Sequence, residues 1–120
     1  MSAETDFRAL LAAHAPLTAL VATRIAQDAV GEGDGVPLVI FSARHEPLTA
    51  VDGSQVADQV SFVVQCWADT GAAAAAVADA VQGALATAPL TRAVRVLDRS
   101  TTFEPDLGQD GVILTVEWWA

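Results

Sequence analysis

Apolar residues recur along this chain with two different periods, one helical and one extended. Phe7, Leu10, Leu11 and His14 fall at i, i+3, i+4 and i+7, which predicts one face of a first helix. Ser2 or Thr5 is placed to cap it, and Glu4 and Asp6 suit the positive end of its dipole. Pro16 is expected to stop that helix and to open a short second one over 16–22, where Leu17, Leu20 and Val21 repeat the spacing. Residues 24–30 fit a short edge strand, and the triple-glycine stretch 31–35 fits a flexible loop. That loop lacks the Gly-Lys-Ser/Thr ending of a phosphate loop, and its acids Glu32 and Asp34 repel phosphate.

Period-two patterning begins after the loop. Residues 36–43 read as a strand that is apolar on both faces at Leu38, Val39, Ile40 and Phe41, which predicts a central, doubly covered position. Residues 44–55 read as a polar connector, and 56–67 as the longest strand, the three together forming a long hairpin. In that strand Val60, Phe62, Val64 and Cys66 share one face. Asp69 or Thr70 caps an alanine-rich helix over 71–86, with Val77, Val81 and Leu85 as its apolar stripe and Pro89 as its end. Val94, Val96 and Leu97 start a further strand that continues over 99–104 with Phe103 inward. A turn over 105–111 leads to the final strand, 112–119, with Val112, Leu114, Val116 and Trp118 on one face. The expected fold is α+β: a single, mostly antiparallel sheet with the N-terminal helix and the alanine-rich helix packed on it.

Length and charge narrow the possibilities. At 120 residues and 12.4 kDa the chain is expected to form one domain spanning 1–120. Six arginines stand against 15 acids, for a net charge of −9. Nucleic-acid binding through phosphate contacts needs clustered cations, so that class is disfavoured, as is an anionic membrane surface. The single cysteine, Cys66, rules out an internal disulfide and a four-cysteine metal site, and its apolar neighbours predict a buried thiol. The acidic start does not resemble a signal peptide, so synthesis and retention in a cytoplasm-like compartment are expected.

No catalytic constellation emerges. His14 reads as a packed residue. His45, Glu46 and Asp52 include metal-ligating types, but no regular spacing orients them. Asp106 and Asp110 flank Gly108 in a turn and lack the acid series of a calcium loop. The protein is therefore expected not to be an enzyme and to use no cofactor or metal. Trp118 and Trp119 must point to opposite sheet faces. One fills the core; the other is either partly exposed or a subunit contact.

Taken in order, these segments resemble the tail-terminator (tail-completion, tail-to-head joining) proteins of long-tailed bacteriophages and gene transfer agents. The resemblance rests on Leu-Thr-Ala-Leu-Val-Ala-Thr-Arg-Ile at 17–25, on Val-Pro-Leu-Val-Ile-Phe at 36–41, and above all on Val-Val-Gln-Cys-Trp-Ala-Asp-Thr at 63–70. That last block runs into the helix bearing Ala78, Val81 and Leu85, and Phe-Glu-Pro-Asp at 103–106 precedes the closing strand. The resemblance implies a virion protein of the tail and neck, assembled in the host cytoplasm. It implies a ring, of six subunits, that caps the head-proximal end of the tail tube, stops polymerisation and offers the head connector a docking surface. Its partners would be further copies of itself, the tail-tube protein and the head-closure protein, with DNA passing through the lumen without specific binding and no membrane contact. A head-closure or tail-tube ring of the same particle, or a small oligomeric adaptor outside phages, are the alternatives. For such a ring, the expected contact residues are Arg44, His45, Glu46, Pro47, Asp52 and Gln55 of the long connector, together with Trp119.

Overall fold

A computed structural model describes residues 3–28, 35–49, 51–53, 55–88 and 94–119, with the side chains of 47–49, 55–58 and 119 set aside. The elements run α1 (Ala3–Ala12), α2 (Ala15–Val21), β1 (Ile25–Gln27), β2 (Leu38–Thr49), β3 (Gln55–Ala68), α3 (Gly71–Leu85), β4 (Val94–Glu104) and β5 (Gln109–Trp119). The five strands form one sheet in the order β1-β2-β3-β5-β4. Every neighbouring pair is antiparallel except β1 and β2, so the sheet is mixed.

The strict alternation on β3 and β5 decides which face is buried. Val60, Phe62, Val64 and Cys66 stand opposite Trp118, Val116, Leu114 and Val112 in the register, and all eight are buried. Val39 and Phe41 extend this face onto β2, and the three helices cover it. Phe7 of α1 stacks on Phe62 with ring centroids 4.0 Å apart, while Phe41 and Trp118 meet these rings edge-on or tilted. Among the described residues, no polar or charged side chain is buried.

The helices follow their sequence signals with two corrections. The α3 cap is Thr70, whose Oγ1 accepts a hydrogen bond from the Ala73 N–H at 3.1 Å. Small alanines at 74, 78 and 84 let α3 lie close on β3 and β5, with Val77, Val81 and Leu85 as its larger anchors. It ends at Leu85 through hydrogen bonds of Ala86 and Thr87 to the last turn, so no proline is needed; Pro89 lies outside the described residues. The first helix also stops earlier than expected, at Ala12, and His14 becomes the residue that precedes α2 rather than part of the α1 face. Its carbonyl accepts from the Leu17 and Thr18 N–H groups, and Pro16 sits in the first turn of α2, where its missing N–H costs nothing. Ser2 and most of the glycine loop, 29–34, lie outside the described residues.

Two strand expectations also change. The opposite face of the sheet carries no helix among the described residues, so β2 is covered on one side only and Ile40 is half-buried. Phe103 does fall on the helix-bearing face, opposite Asp110, but at the sheet's outer strand beyond the helix layer; it is 55% exposed.

Candidate assembly surfaces

The expected polar connector is not a loop. β2 continues through Arg44, His45, Glu46 and Pro47 to Thr49, and β3 begins at Gln55, so only the residues between them turn. Past Gln59, β3 has no β5 partner among the described residues and pairs with β2 alone. The hairpin therefore projects beyond the two-layer body as a two-stranded arm, consistent with a molecule 51 Å long and 24–28 Å across. Val51 at the tip is fully exposed, and Gly53 takes a positive φ of 89° that closes the turn.

The named contact residues are spread along this arm. Arg44 and Glu46 lie at its root on the open face and pair with each other at 3.3 Å. His45 lies on the opposite face, aligned with Val60, and its Nε2 contacts Glu4 Oε1 of α1. That contact ties the start of α1 to the root of the arm. Asp52 is at the tip, Pro47 and Gln55 are in the two strands, and Trp119 ends β5 opposite Gln59. The side chains of Pro47, Gln55 and Trp119 lie outside the described part of the structure. His45, Glu46 and Asp52 do not converge, because the first two face opposite ways and the third is at the far end of the ribbon.

A second surface was not foreseen. Leu38, Ile40, Trp67, Glu104, Leu107 and Gln109 line a shallow apolar groove of about 190 Å³ on the open face, at the end of the sheet away from the arm. Trp67 forms its floor. Its ring lies across Gly111, where any β-carbon would come within 2.8 Å, and its Nε1–H donates to Gln65 Oε1 at 3.0 Å. The signal that could have located the groove is the pairing of a tryptophan with a glycine on the neighbouring strand, and it depends on a register no local pattern reveals.

The remaining chemistry-bearing residues are occupied by packing. His14 rests against Gly83 of α3, where an added β-carbon would sit 3.1 Å from its Nε2. Arg8 and Arg24 donate to the backbone carbonyls of Ile25 and Pro37, each at 2.8 Å. Arg99 joins β4 to α3 through Asp79 and Gln82. Asp106 belongs to a turn in which its N–H donates to Glu104 Oε1. Among the described residues, no group of three or more His, Cys, Asp or Glu side chains is arranged to hold a metal.

Cys66 is buried, and burial pushes its thiol up to about 12, opposed in part by the positive charge of Arg99. The folded thiol thus stays neutral where an unfolded one, near its ordinary 9.0, ionises. Stability from this source is intact below about pH 9 and falls as pH rises toward 12, by about 1.4 kcal/mol per pH unit at most. Cys66→Ala should remove that slope between pH 9 and 11 in urea titrations of both proteins. Parallel slopes in the two proteins would contradict this account of the thiol.

A search of curated proteins finds no match. Among solved structures, a chain in the virion of a native gene transfer agent particle superposes with a TM-score of 0.74 at 22% identity, over 94% of this chain and 90% of that one. At that identity the likeness establishes a shared fold. The family comparison reaches further, because the tail completion protein gp17 family matches residues 5–120, every described element but the first two residues of α1. The chain therefore belongs to the tail completion protein gp17 family and is a structural protein of a virion tail.

Proposed function

We propose that the protein forms a closed, six-subunit ring that caps the head-proximal end of the tail tube, stops its growth and presents a surface to the head-closure protein. The family match along residues 5–120 carries this reading. The fold suits it. A closed ring repeats one heterologous contact, so each subunit needs two different surfaces. The arm and the far edge of the sheet are two such surfaces on one small body. DNA passes through the centre, where a net charge of −9 per subunit disfavours adhesion of phosphates to the wall. The role is architectural and uses no cofactor or catalytic group. Further partners are the tail-tube protein, which we assign to the arm, and the head-closure protein.

Native mass spectrometry of the purified chain at several concentrations tests the ring. A hexamer that dominates and does not grow with concentration is the expected result. An open series of ever larger oligomers would instead identify a tube subunit. If the chain is monomeric, it is added to growing tail tubes; tubes that keep elongating in its presence would overturn the capping role.

A further inference from the structure

The open face of the sheet carries an idle cation at one end and a receptor for a cation at the other. Five of the six arginines are described; Arg92 lies outside the described residues. Four of the five are engaged within the subunit. Arg8 and Arg24 donate to backbone carbonyls, Arg44 pairs with Glu46, and Arg99 reaches Asp79 and Gln82. Arg95 is exposed and makes no hydrogen bond or ion pair with any described residue, although Glu117 stands across the ladder from it on β5. Its neighbours Val94 and Val96 stand opposite the buried Trp118 and Val116, so Arg95 turns to the open face. The bulge that follows adds Leu97, which is 43% exposed.

The groove at the far end of the same face has the parts that hold an arginine. The Trp67 ring is fixed in place, because Gly111 leaves room for it and its Nε1–H is bound to Gln65. An aromatic face attracts a guanidinium through the ring's quadrupole. Glu104 also lines the groove, and the Asp106 N–H bound to its Oε1 steadies the carboxylate. Its other oxygen has no partner among the described residues. Leu38, Ile40 and Leu107 offer apolar walls for the methylene stem of an arginine. A ring face beside a fixed carboxylate favours a planar cation, whereas an acidic side chain would be repelled by Glu104.

Resting on the ring reading above, we propose that Arg95 of one subunit enters the Trp67 groove of the next. Its guanidinium stacks on the Trp67 ring and pairs with the Glu104 carboxylate, and Leu97 packs beside it. A subunit cannot make this contact with itself. Arg95 and Glu104 face Glu117 and Gln109 on β5, eight residues apart. At about 3.4 Å per residue that is about 27 Å, several times the reach of an arginine side chain. The donor and the receptor are different patches, so every subunit offers one of each, which is the heterologous contact a closed ring repeats. The arm tip is the rival occupant within this chain, since Val51 is apolar and fully exposed. It is disfavoured because the neighbouring Asp52 would bring a second acid to Glu104.

The test is a double-mutant cycle in the full chain, read as the concentration needed for half-assembly. Arg95→Gln removes a side chain that bonds nothing described in its own subunit, and Glu104→Gln keeps an oxygen for the Asp106 N–H. Both should fold like the parent, which thermal unfolding checks. Each should raise the half-assembly concentration roughly tenfold, and the double variant should be no worse than the weaker single. Trp67→Leu keeps the floor apolar; it should weaken assembly of the parent and add nothing to Arg95→Gln.

A second measurement leaves Arg95, Glu104 and Trp67 in place. Leu97→Cys/Leu107→Cys treated with a short bismaleimide should give a ladder of covalent chains that ends at the ring, while the native Cys66 stays buried. For a ring that forms only on tails, both measurements are read on capped tails. If rings or caps form and both single glutamine variants assemble like the parent, this contact is wrong and the ring stands. If both singles are weaker and their effects add in the double, Arg95 and Glu104 serve separate contacts and the pairing is wrong. Cross-linking that stops at two chains would mean that two open faces pack on each other, which overturns the head-to-tail contact and the ring together. If the parent neither forms rings nor caps tubes, the ring reading itself fails and takes this contact with it.

Discussion

Deleting residues 47–53 should abolish tail capping while the remaining chain folds. Every described residue of the buried core lies outside the deleted segment. Glu46 and Gln59 face each other at the root of the arm, and with Glu46 joined to Ser54 the five residues up to Asp58 suffice for a hairpin turn. What is lost is a ribbon that, among the described residues, pairs only with itself, and a tip, at Val51, that is fully exposed. On the proposed reading, that tip and ribbon reach the tail tube. The expected result is a variant with a melting temperature within about 5 °C of the parent that no longer halts tube growth. Val51→Asp addresses the tip alone and should weaken capping without altering the hairpin ladder. Capping that survives the deletion would place the tube contact elsewhere, with the apolar groove at Leu38, Ile40 and Trp67 as the next surface to test.

The arm also explains where the sequence reading faltered. Strands β3 and β5 were legible because each buries one face, and burial writes a period of two into the residues: Val60, Phe62, Val64 and Cys66, then Val112, Leu114, Val116 and Trp118. Helix α3 was legible for the corresponding reason at a helical period. Residues 44–49 lead into a ribbon that β5 no longer flanks, and the exposed Arg44, His45 and Glu46 give no apolar alternation, so the segment looks like a connector. β1 was legible as a short edge strand within 24–30, but its parallel pairing with β2, which makes the sheet mixed, was not. Phe103 misled in the other direction. Its face was right, but exposure is set by how far the helices extend over β4, which is a property of the whole fold.

The candidate surfaces were only partly legible, and again for a physical reason. Arg44, His45, Glu46 and Asp52 stood out through the length of the segment that carries them, and the structure places them along one protruding arm. The strand order left no trace in the sequence, because whether a strand is central or terminal depends on pairings between residues far apart in the chain. β5 and β4 are consecutive, yet β5 lies inside the sheet and β4 at its limit.

The largest loss of stability from a single substitution is expected at Phe62. Its side chain is fully buried at the middle of β3, stacked on Phe7 and meeting Phe41 and Trp118 edge-on. Truncation to alanine removes the ring and leaves a cavity between a helix and a sheet that cannot close independently, a cost of about 3–5 kcal/mol. Since a domain of this size is stable by only about 5–15 kcal/mol, Phe62→Ala should lower the urea midpoint severely with little change in slope. Phe103→Ala is the matched control. The same substitution on an exposed ring at the sheet's edge should change stability by no more than about 0.5 kcal/mol. Phe62 also holds α1 in place through Phe7, and α1 carries Glu4, the partner of His45 at the root of the arm. Its loss should therefore reach the assembly surface: at temperatures where Phe62→Ala is still folded, ring formation should be weaker than in Phe103→Ala. Equal assembly by the two folded variants would mean that the arm is held by its own hairpin ladder and that α1 contributes nothing to its position.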